Sequence, residues 1–482
     1  IYSADNILVA NGEIYNYKQI AQQYNITLTT GSDCEILPYL LDRMSPHRMC
    51  DILDGVFAFV AYNRRTCKIY AARDPFGVRS LYMGASHNGF GPRMALASEV
   101  KCLAEAGCVH IAPFPPGQVF TFDTNTCDEA WIRHHVGFER QFFPYFTEDS
   151  DETLMAMIRE HLTLAVRKRV SCDRMPIGCF VSGGLDSSLV AALVVKEIVA
   201  NGGKPSDVWT FSIGQEGSPD LAFAGKVAAH LGTTHHRVLV SEDAMISAIP
   251  SVIKDIESWD TTTVRASTGH ALLSSYVKDN TPVRVMFSGE GADEIFGSYL
   301  YFSNAPNPDE FQEESLRLCR DLHRFDVLRV EKSCASRGLE CRVPFLDKTF
   351  VSKVLRMRPE KRGFRQGMEK WILRKAFDGM GLLPDDVLWR RKEAFSDGVT
   401  TVESSWHTQI KRHASSLSYN GESKNGDEND PTIGMTDEQR WFYNVFDANY
   451  PGMHPLIPYE WLPKWTSQKD PSARALSQYS TK

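Results

Sequence analysis

Apolar positions recur at two different periods along this chain, and the change falls near residue 145. Before it, short apolar and β-branched runs alternate with turns, at residues 7–10, 55–62, 67–72, 80–84, 94–98 and 118–122. Such spacing predicts antiparallel sheets. One helical stretch, 34–44, interrupts them. Beyond residue 145, Leu154, Ile158, Leu162 and Val166 stand four apart and predict a helix over 153–170. Strands then alternate with helices. Strand 177–181 leads to a helix near 188–199, strand 208–213 to a helix near 220–231, and strand 236–240 follows. This alternation predicts a parallel α/β sheet covered by helices. Residues 140–152 mix aromatics, proline and acids and read as a linker. Residues 415–432 are polar and read as a surface loop. The pattern therefore gives two domains, 1–145 and 146–482.

Composition narrows the functional classes. Of 482 residues, 43% are hydrophobic and 23% charged, as in ordinary soluble proteins. A net charge of -7 offers no basic footprint for nucleic acid. The eleven cysteines are scattered without a C-x-x-C pair, which suits reduced thiols inside a cell. The longest apolar run, 189–195, is far too short to span a membrane. The first fifteen residues lack a secretory n-region and h-region, so a cytoplasmic location is expected. The chain opens on Ile1, in what reads as the middle of a domain, and is expected to be a fragment or processed form.

The strongest chemical signal is Val181-Ser182-Gly183-Gly184-Leu185-Asp186-Ser187-Ser188, between a strand and a helix. Two glycines let backbone N–H groups approach an anion, and the helix start adds free donors. Asp186 is out of place in a bare phosphate cradle unless a divalent cation lies between carboxylate and phosphate. The loop is no Walker A sequence. A second Gly-rich loop, Ser288-Gly289-Glu290-Gly291-Ala292-Asp293-Glu294, follows the apolar run 283–287. Its three carboxylates need a cation or a positive substrate group. A third stretch, Arg390-Arg391-Lys392, suits a triphosphate, because cations stabilise charge growing on leaving pyrophosphate. Each stretch alone also reads as an ordinary turn or a solvated charged face; together they point to a nucleotide-phosphate site with a bound metal.

These stretches, with Asn11-Gly12-Glu13-Ile14-Tyr15-Asn16, Arg73-Asp74-Pro75-Phe76-Gly77, Asp260-Thr261-Thr262-Thr263-Val264-Arg265 and Glu340-Cys341-Arg342-Val343-Pro344, resemble the glutamine-hydrolysing asparagine synthetases of the animal type. The resemblance runs in order along nearly the whole chain. It implies an α+β N-terminal-nucleophile-type sandwich (αββα, lacking its start), followed by an α/β parallel-sheet ATP pyrophosphatase domain. ATP would adenylate the side-chain carboxyl of aspartate, and ammonia from glutamine would displace AMP. By resemblance, Val181, Ser182, Gly183, Gly184, Asp186, Ser187, Ser188, Ile213, Ser288 and Gly289 bind ATP. Asp186 and Asp293 hold Mg2+, and Lys392 stabilises adenylation. Glu290, Thr262, Thr263 and Arg265 surround aspartate and its adenylate, and Glu290 accepts a proton from ammonium. Asn11 and Gly12 form an oxyanion hole for glutamine, whose α-amine Glu13 and Asp33 hold. A homodimer is the assembly to expect. The family pattern places a catalytic cysteine at the mature N-terminus, where its α-amine is the base; residue 1 here is Ile, and Cys34 makes a poor substitute. A related β-lactam-forming synthetase and a non-catalytic homologue are the alternatives. The 260–265 stretch argues against the first. Retention of Asp186, Glu290, Asp293 and Lys392 argues against the second.

Overall fold

The computed structural model describes residues 1–88, 91–145, 150–170, 176–393, 395–401, 404–417, 432–467 and 470–472. The polar stretch 415–432 and the centre of the 140–152 segment lie mostly outside the described residues. The chain divides into two compact units, Ile1–Pro144 with Leu316–His323, and Tyr145–Ser315 with Arg324–Lys482. Among the described residues no helix is long and apolar enough to cross a membrane.

The first unit holds β1 (Asn6–Ile14), α1 (Tyr17–Gln23), α2 (Ile36–Leu41), α3 (Pro46–Ile52), β2 (Gly55–Asn63), β3 (Lys68–Arg73), β4 (Tyr82–Asn88), β5 (Gly91–Ala97), α4 (Val100–Glu105), β6 (Val109–Pro113), β7 (Gln118–Asp123) and β8 (Glu129–Arg133). An antiparallel sheet runs β1-β2-β3-β7-β8, and a second runs β5-β4-β6. The period of two in β2 divides its side chains between two cores. Phe57, Phe59 and Ala61 join Ile14, Ile36, Leu37 and Leu40 in the core under α1–α3. Ala58, with Val60, joins Leu81, Phe114 and Met83 between the sheets. Helix α4 packs on the second sheet, giving four layers, helix, sheet, sheet, helix. The run expected at 7–10 extends to Ile14, so Asn11, Gly12 and Glu13 lie within the strand. The helix expected at 34–44 is a 3-10 turn, Asp33–Glu35, followed by the shorter α2. Strand β6 is too short to stand out, and β8 carries no apolar alternation. β8 is exposed along its whole length, as an edge strand with one solvated face can be.

The second unit contains α5 (Asp151–Val170), β9 (Ile177–Phe180), α6 (Leu185–Ala200), β10 (Val208–Gly214), α7 (Pro219–Leu231), β11 (Thr234–Leu239), α8 (Glu242–Ile256), α9 (Thr261–Asn280), β12 (Val285–Phe287), α10 (Ala292–Phe296), α11 (Pro308–Asp321, whose end falls in the first unit), α12 (Asp326–Ala335) and β13 (Glu340–Arg342). Its sheet runs β11-β10-β9-β12-β13, parallel throughout. The chain builds outward from β9 through β10 to β11. It then returns to the other side of β9 for β12 and β13. The order reverses at β9 and β12, where open α/β sheets leave a crevice beyond the strand ends.

Candidate active site

Both Gly-rich loops leave the sheet at that crevice. After β9 the chain passes through Val181-Ser182-Gly183-Gly184 into α6. Gly183 has φ +72°, and a Cβ there would stand 2.4 Å from that of Phe223, so only glycine fits. Gly184 is the N-cap residue of α6, and no side chain caps it. The helix therefore starts at Leu185, three residues earlier than the apolar pattern indicated, with its first N–H groups at the positive end of the dipole. The Ser182 and Ser187 hydroxyls lie 3.1 Å apart and tie the loop. After β12, Gly289 rides on the start of α6: a Cβ there would stand 2.7 Å from the Ser187 nitrogen and 2.8 Å from the Asp186 carbonyl carbon. One cavity is lined by Val181, Ser182, Gly184, Asp186, Ser187, Ile213, Thr262, Ser288, Gly289, Glu290, Asp293 and Lys392. Phe180, Phe211 and Leu273 add an apolar wall beside Val181 and Ile213, suited to a flat heterocycle.

The acidic loop meets its counter-charge from within the protein. Lys370, immediately before the helix Trp371–Phe377, contacts Asp186 Oδ2 and lies 2.5 Å from Asp293 Oδ1. Lys392 Nζ lies 2.5 Å from Asp293 Oδ2. Burial alone would raise Asp293, but the two lysines outweigh it and hold the carboxyl well below the usual carboxylate range. Burial would lower Lys392, but Asp293 and Asp186 raise it instead. The sequence called for a divalent cation between Asp186 and phosphate, and for a cation or positive substrate group beside the 290–294 loop; the structure places lysines against both carboxylates. A divalent ion is still compatible. Asp186 Oδ1 is buried with no hydrogen-bond partner among the described residues, an open carboxylate lone pair beside a phosphate loop. No cluster of three or more His, Cys, Asp or Glu that could hold a metal occurs among the described residues. An ion there would complete its shell with phosphate and water, as Mg2+ commonly does.

Glu290 sits in a second network. Arg329 Nη2 donates to Glu290 Oε2 at 2.9 Å, and Arg329 Nη1 lies 2.6 Å from Asp326 Oδ1. Burial raises the Glu290 pKa above its ordinary value although Arg329 pulls it down. His270 Nε2 lies 3.9 Å from Glu290 Oε1; burial and Arg329 push its pKa down to about 3, so it is neutral. Lys370, Arg329, Asp326 and His270 all line the cavity, and no motif marked them. The unmatched charge of the 290–294 loop was the one available signal that basic partners had to exist elsewhere.

The remaining expected residues lie behind the wall. Gly183 and Ser188 are not among the lining residues, and the Ser188 hydroxyl is buried with no hydrogen-bond partner among the described residues. Neither Thr263 nor Arg265 reaches the cavity. The Thr263 hydroxyl donates to Asp260, which caps α9. Arg265 is buried against Glu438 and Asp470. Thr262 does line the cavity, and its hydroxyl has no hydrogen-bond partner among the described residues.

In the first unit, Asn11, Gly12 and Glu13 follow one another along β1. Gly12 faces Phe57 across the ladder, and a Cβ there would stand 2.5 Å from the Val56 oxygen. Glu13 and Asp33 are both buried, and Asp33 Oδ2 accepts the Ile14 N–H. Asn11 is exposed. The Cys34 thiol faces the Gly12 carbonyl at 3.5 Å. Burial, Asp33 and Glu13 push its pKa far above the ordinary thiol value, so it stays protonated and is a poor nucleophile.

Comparison with known proteins adds an independent finding. The Asparagine synthase family model matches residues 157–308 and 303–426, and the Glutamine amidotransferase domain model matches residues 2–105. A protein of Pongo abelii named "Asparagine synthetase [glutamine-hydrolyzing]" is 39% identical over 494 residues, covering 98% of this chain and 87% of that protein. Proteins of the same name from Homo sapiens (39% over 498 residues) and Gallus gallus (38% over 494 residues) cover 98% of this chain and 87% of their own lengths.

Proposed function

Because the chain belongs to the glutamine-hydrolysing asparagine synthetase family, we propose that the cavity of its second unit is where aspartate is adenylated and amidated. The overall activity is glutamine-dependent asparagine synthesis, a carbon–nitrogen ligation that consumes ATP. The first unit is read as the N-terminal-nucleophile-type glutaminase and the second as the ATP pyrophosphatase-type synthetase. The observation that carries the site assignment is the close contact of Gly289 with Asp186 and Ser187. It fuses a phosphate-type loop and an acidic loop into one wall at the switch point of a parallel sheet.

In this reading Val181 and Ile213 hold the adenine. The N–H groups at the start of α6, with Ser182 and Ser187, hold the phosphates. A β-carboxylate oxygen of aspartate attacks the α-phosphorus, the bond to the bridging oxygen breaks, and pyrophosphate leaves. Lys392, Lys370 and Arg391 face the phosphate end of the cavity and stabilise the growing charge. Asp186 and Asp293 would hold Mg2+, which supplies further charge neutralisation on the phosphates. Ammonia then attacks the β-carbonyl carbon, loses a proton, and AMP leaves. Glu290 accepts that proton; its raised pKa brings it nearer neutrality, where a general base works best. In the first unit, Glu13 and Asp33 form the acidic clamp for the α-amine of glutamine. Asn11 and Gly12 supply oxyanion donors.

The test is exchange of labelled pyrophosphate into ATP, dependent on aspartate. Asp186→Asn is expected to abolish exchange while circular dichroism stays unchanged. Full exchange by this variant would remove the site assignment.

A further inference from the structure

Lys370 is held in an unusual way. Its backbone has φ +51°, a left-handed conformation that side-chain-bearing residues seldom adopt. Its side chain is only 2% exposed, and its ammonium contacts one carboxylate on each of the two loops. With Lys392 it forms a cluster of two ammonium groups and two carboxylates, neutral as a whole. A lone divalent cation entering between Asp186 and Asp293 would leave this half-buried cluster, centred on the buried Lys370 ammonium, with excess positive charge, an unfavourable state. A polyanionic triphosphate entering with the cation removes that excess and gives the displaced ammonium a new partner.

We propose that Lys370 is the resting counter-ion of the two loops: it keeps Asp186 and Asp293 together in the free chain and closes them to a divalent cation that arrives without nucleotide. The inference rests on the reading of those two carboxylates as the metal-holding pair. It makes metal binding conditional on the nucleotide through a side chain as well as through the phosphate oxygens that an ion would need to complete its shell. Asp186 Oδ1 has no hydrogen-bond partner among the described residues, so one coordinating oxygen is not already taken.

The experiment titrates the full chain with Mn2+ and follows free Mn2+ by electron paramagnetic resonance, with and without ATP. The wild-type chain is expected to bind Mn2+ at this pair only when ATP is present. Lys370→Met keeps length and backbone preference but removes the charge. It is expected to bind one Mn2+ without nucleotide at least about tenfold more tightly than wild type, the scale of removing a like charge at contact distance. Lys370→Met/Asp186→Asn is expected to lose that gain. If Lys370→Met binds Mn2+ alone no better than wild type, the proposal is overturned. Tight nucleotide-free binding by wild type that Asp186→Asn removes overturns it as well, even if Lys370→Met does not fold. Failure of the underlying reading shows differently: ATP-dependent Mn2+ binding by wild type would then survive both Asp186→Asn and Asp293→Asn.

Discussion

Arg265 grips Glu438 through two parallel hydrogen bonds, Nε to Oε1 at 2.7 Å and Nη2 to Oε2 at 2.6 Å, across 173 positions of sequence. Arg265 Nη1 also donates to Asp470 Oδ1 at 2.9 Å, and the next residue, Pro471, lines the cavity. A residue expected beside aspartate thus anchors a segment that lines the cavity. Arg265→Ala strands Glu438, itself 2% exposed, as an unpaired buried charge. The expected loss is about 3–5 kcal/mol of stability, measured by urea unfolding. Arg265→Met with Glu438→Gln should recover much of it, because neither charge is then left alone. A single-variant loss under about 1 kcal/mol, the range of an exposed pair, would show the contact to be solvated.

Lys392→Ala is expected to slow adenylation by about 10²-fold, or about 2.7 kcal/mol, the effect of losing one preorganised charge. ATP affinity should fall much less, because phosphate charge grows mainly in the transition state. Single-turnover rates and ATP binding measured on the same preparation separate the two. Equal losses in both would make Lys392 a ground-state anchor.

Gly289→Ala places a methyl group where the Ser187 nitrogen and the Asp186 carbonyl carbon already stand. Relief requires the two loops to part, a strain of about 1–3 kcal/mol. ATP affinity should drop by about 10- to 100-fold at unchanged secondary structure, as read by calorimetric titration. Wild-type affinity in this variant would mean that the loops slide past one another freely.

His270 should make the fold sensitive to acid. Its pKa is 6.5 when unfolded and about 3 in the fold, where burial and Arg329 disfavour its charge. Between those values the unfolded chain binds the extra proton. The stability is therefore fully present above pH 6.5 and is lost as pH falls toward the folded value. At pH 5 the expected loss from this group is about 2 kcal/mol. Denaturation at pH 7 and pH 5 should show a smaller difference for His270→Asn than for wild type. An unchanged difference would mean that His270 is solvated.

The fold and half of the site were readable because they leave periodic or glycine-rich traces. β9 and β10 are mostly apolar runs, and the two Gly-rich loops follow strands directly. β13 carries charges at both ends and spans only three residues, so it leaves no run to detect. Strands β6 and β8 are mostly exposed, so burial imposes little alternation on them. Lys370 and Arg329 belong to the site by charge alone, and a lone base in an ordinary sequence context has no periodicity. Thr263 and Arg265 show the converse. Their motif was visible, but their direction was not, because a neighbour on the helix surface can face the opposite way.

The strand order also governs how the molecule is made. β9 stands in the middle of its sheet, yet its neighbour β12 leaves the ribosome only after β10, α7, β11, α8 and α9. Until then the apolar strand that precedes the phosphate loop has one open edge, a place for another chain to pair. Parallel pairing between segments so distant in sequence is slow, because the intervening chain must first be ordered. The candidate site thus comes into being late in synthesis, and the nascent chain is most vulnerable to aggregation in the interval between α6 and β12.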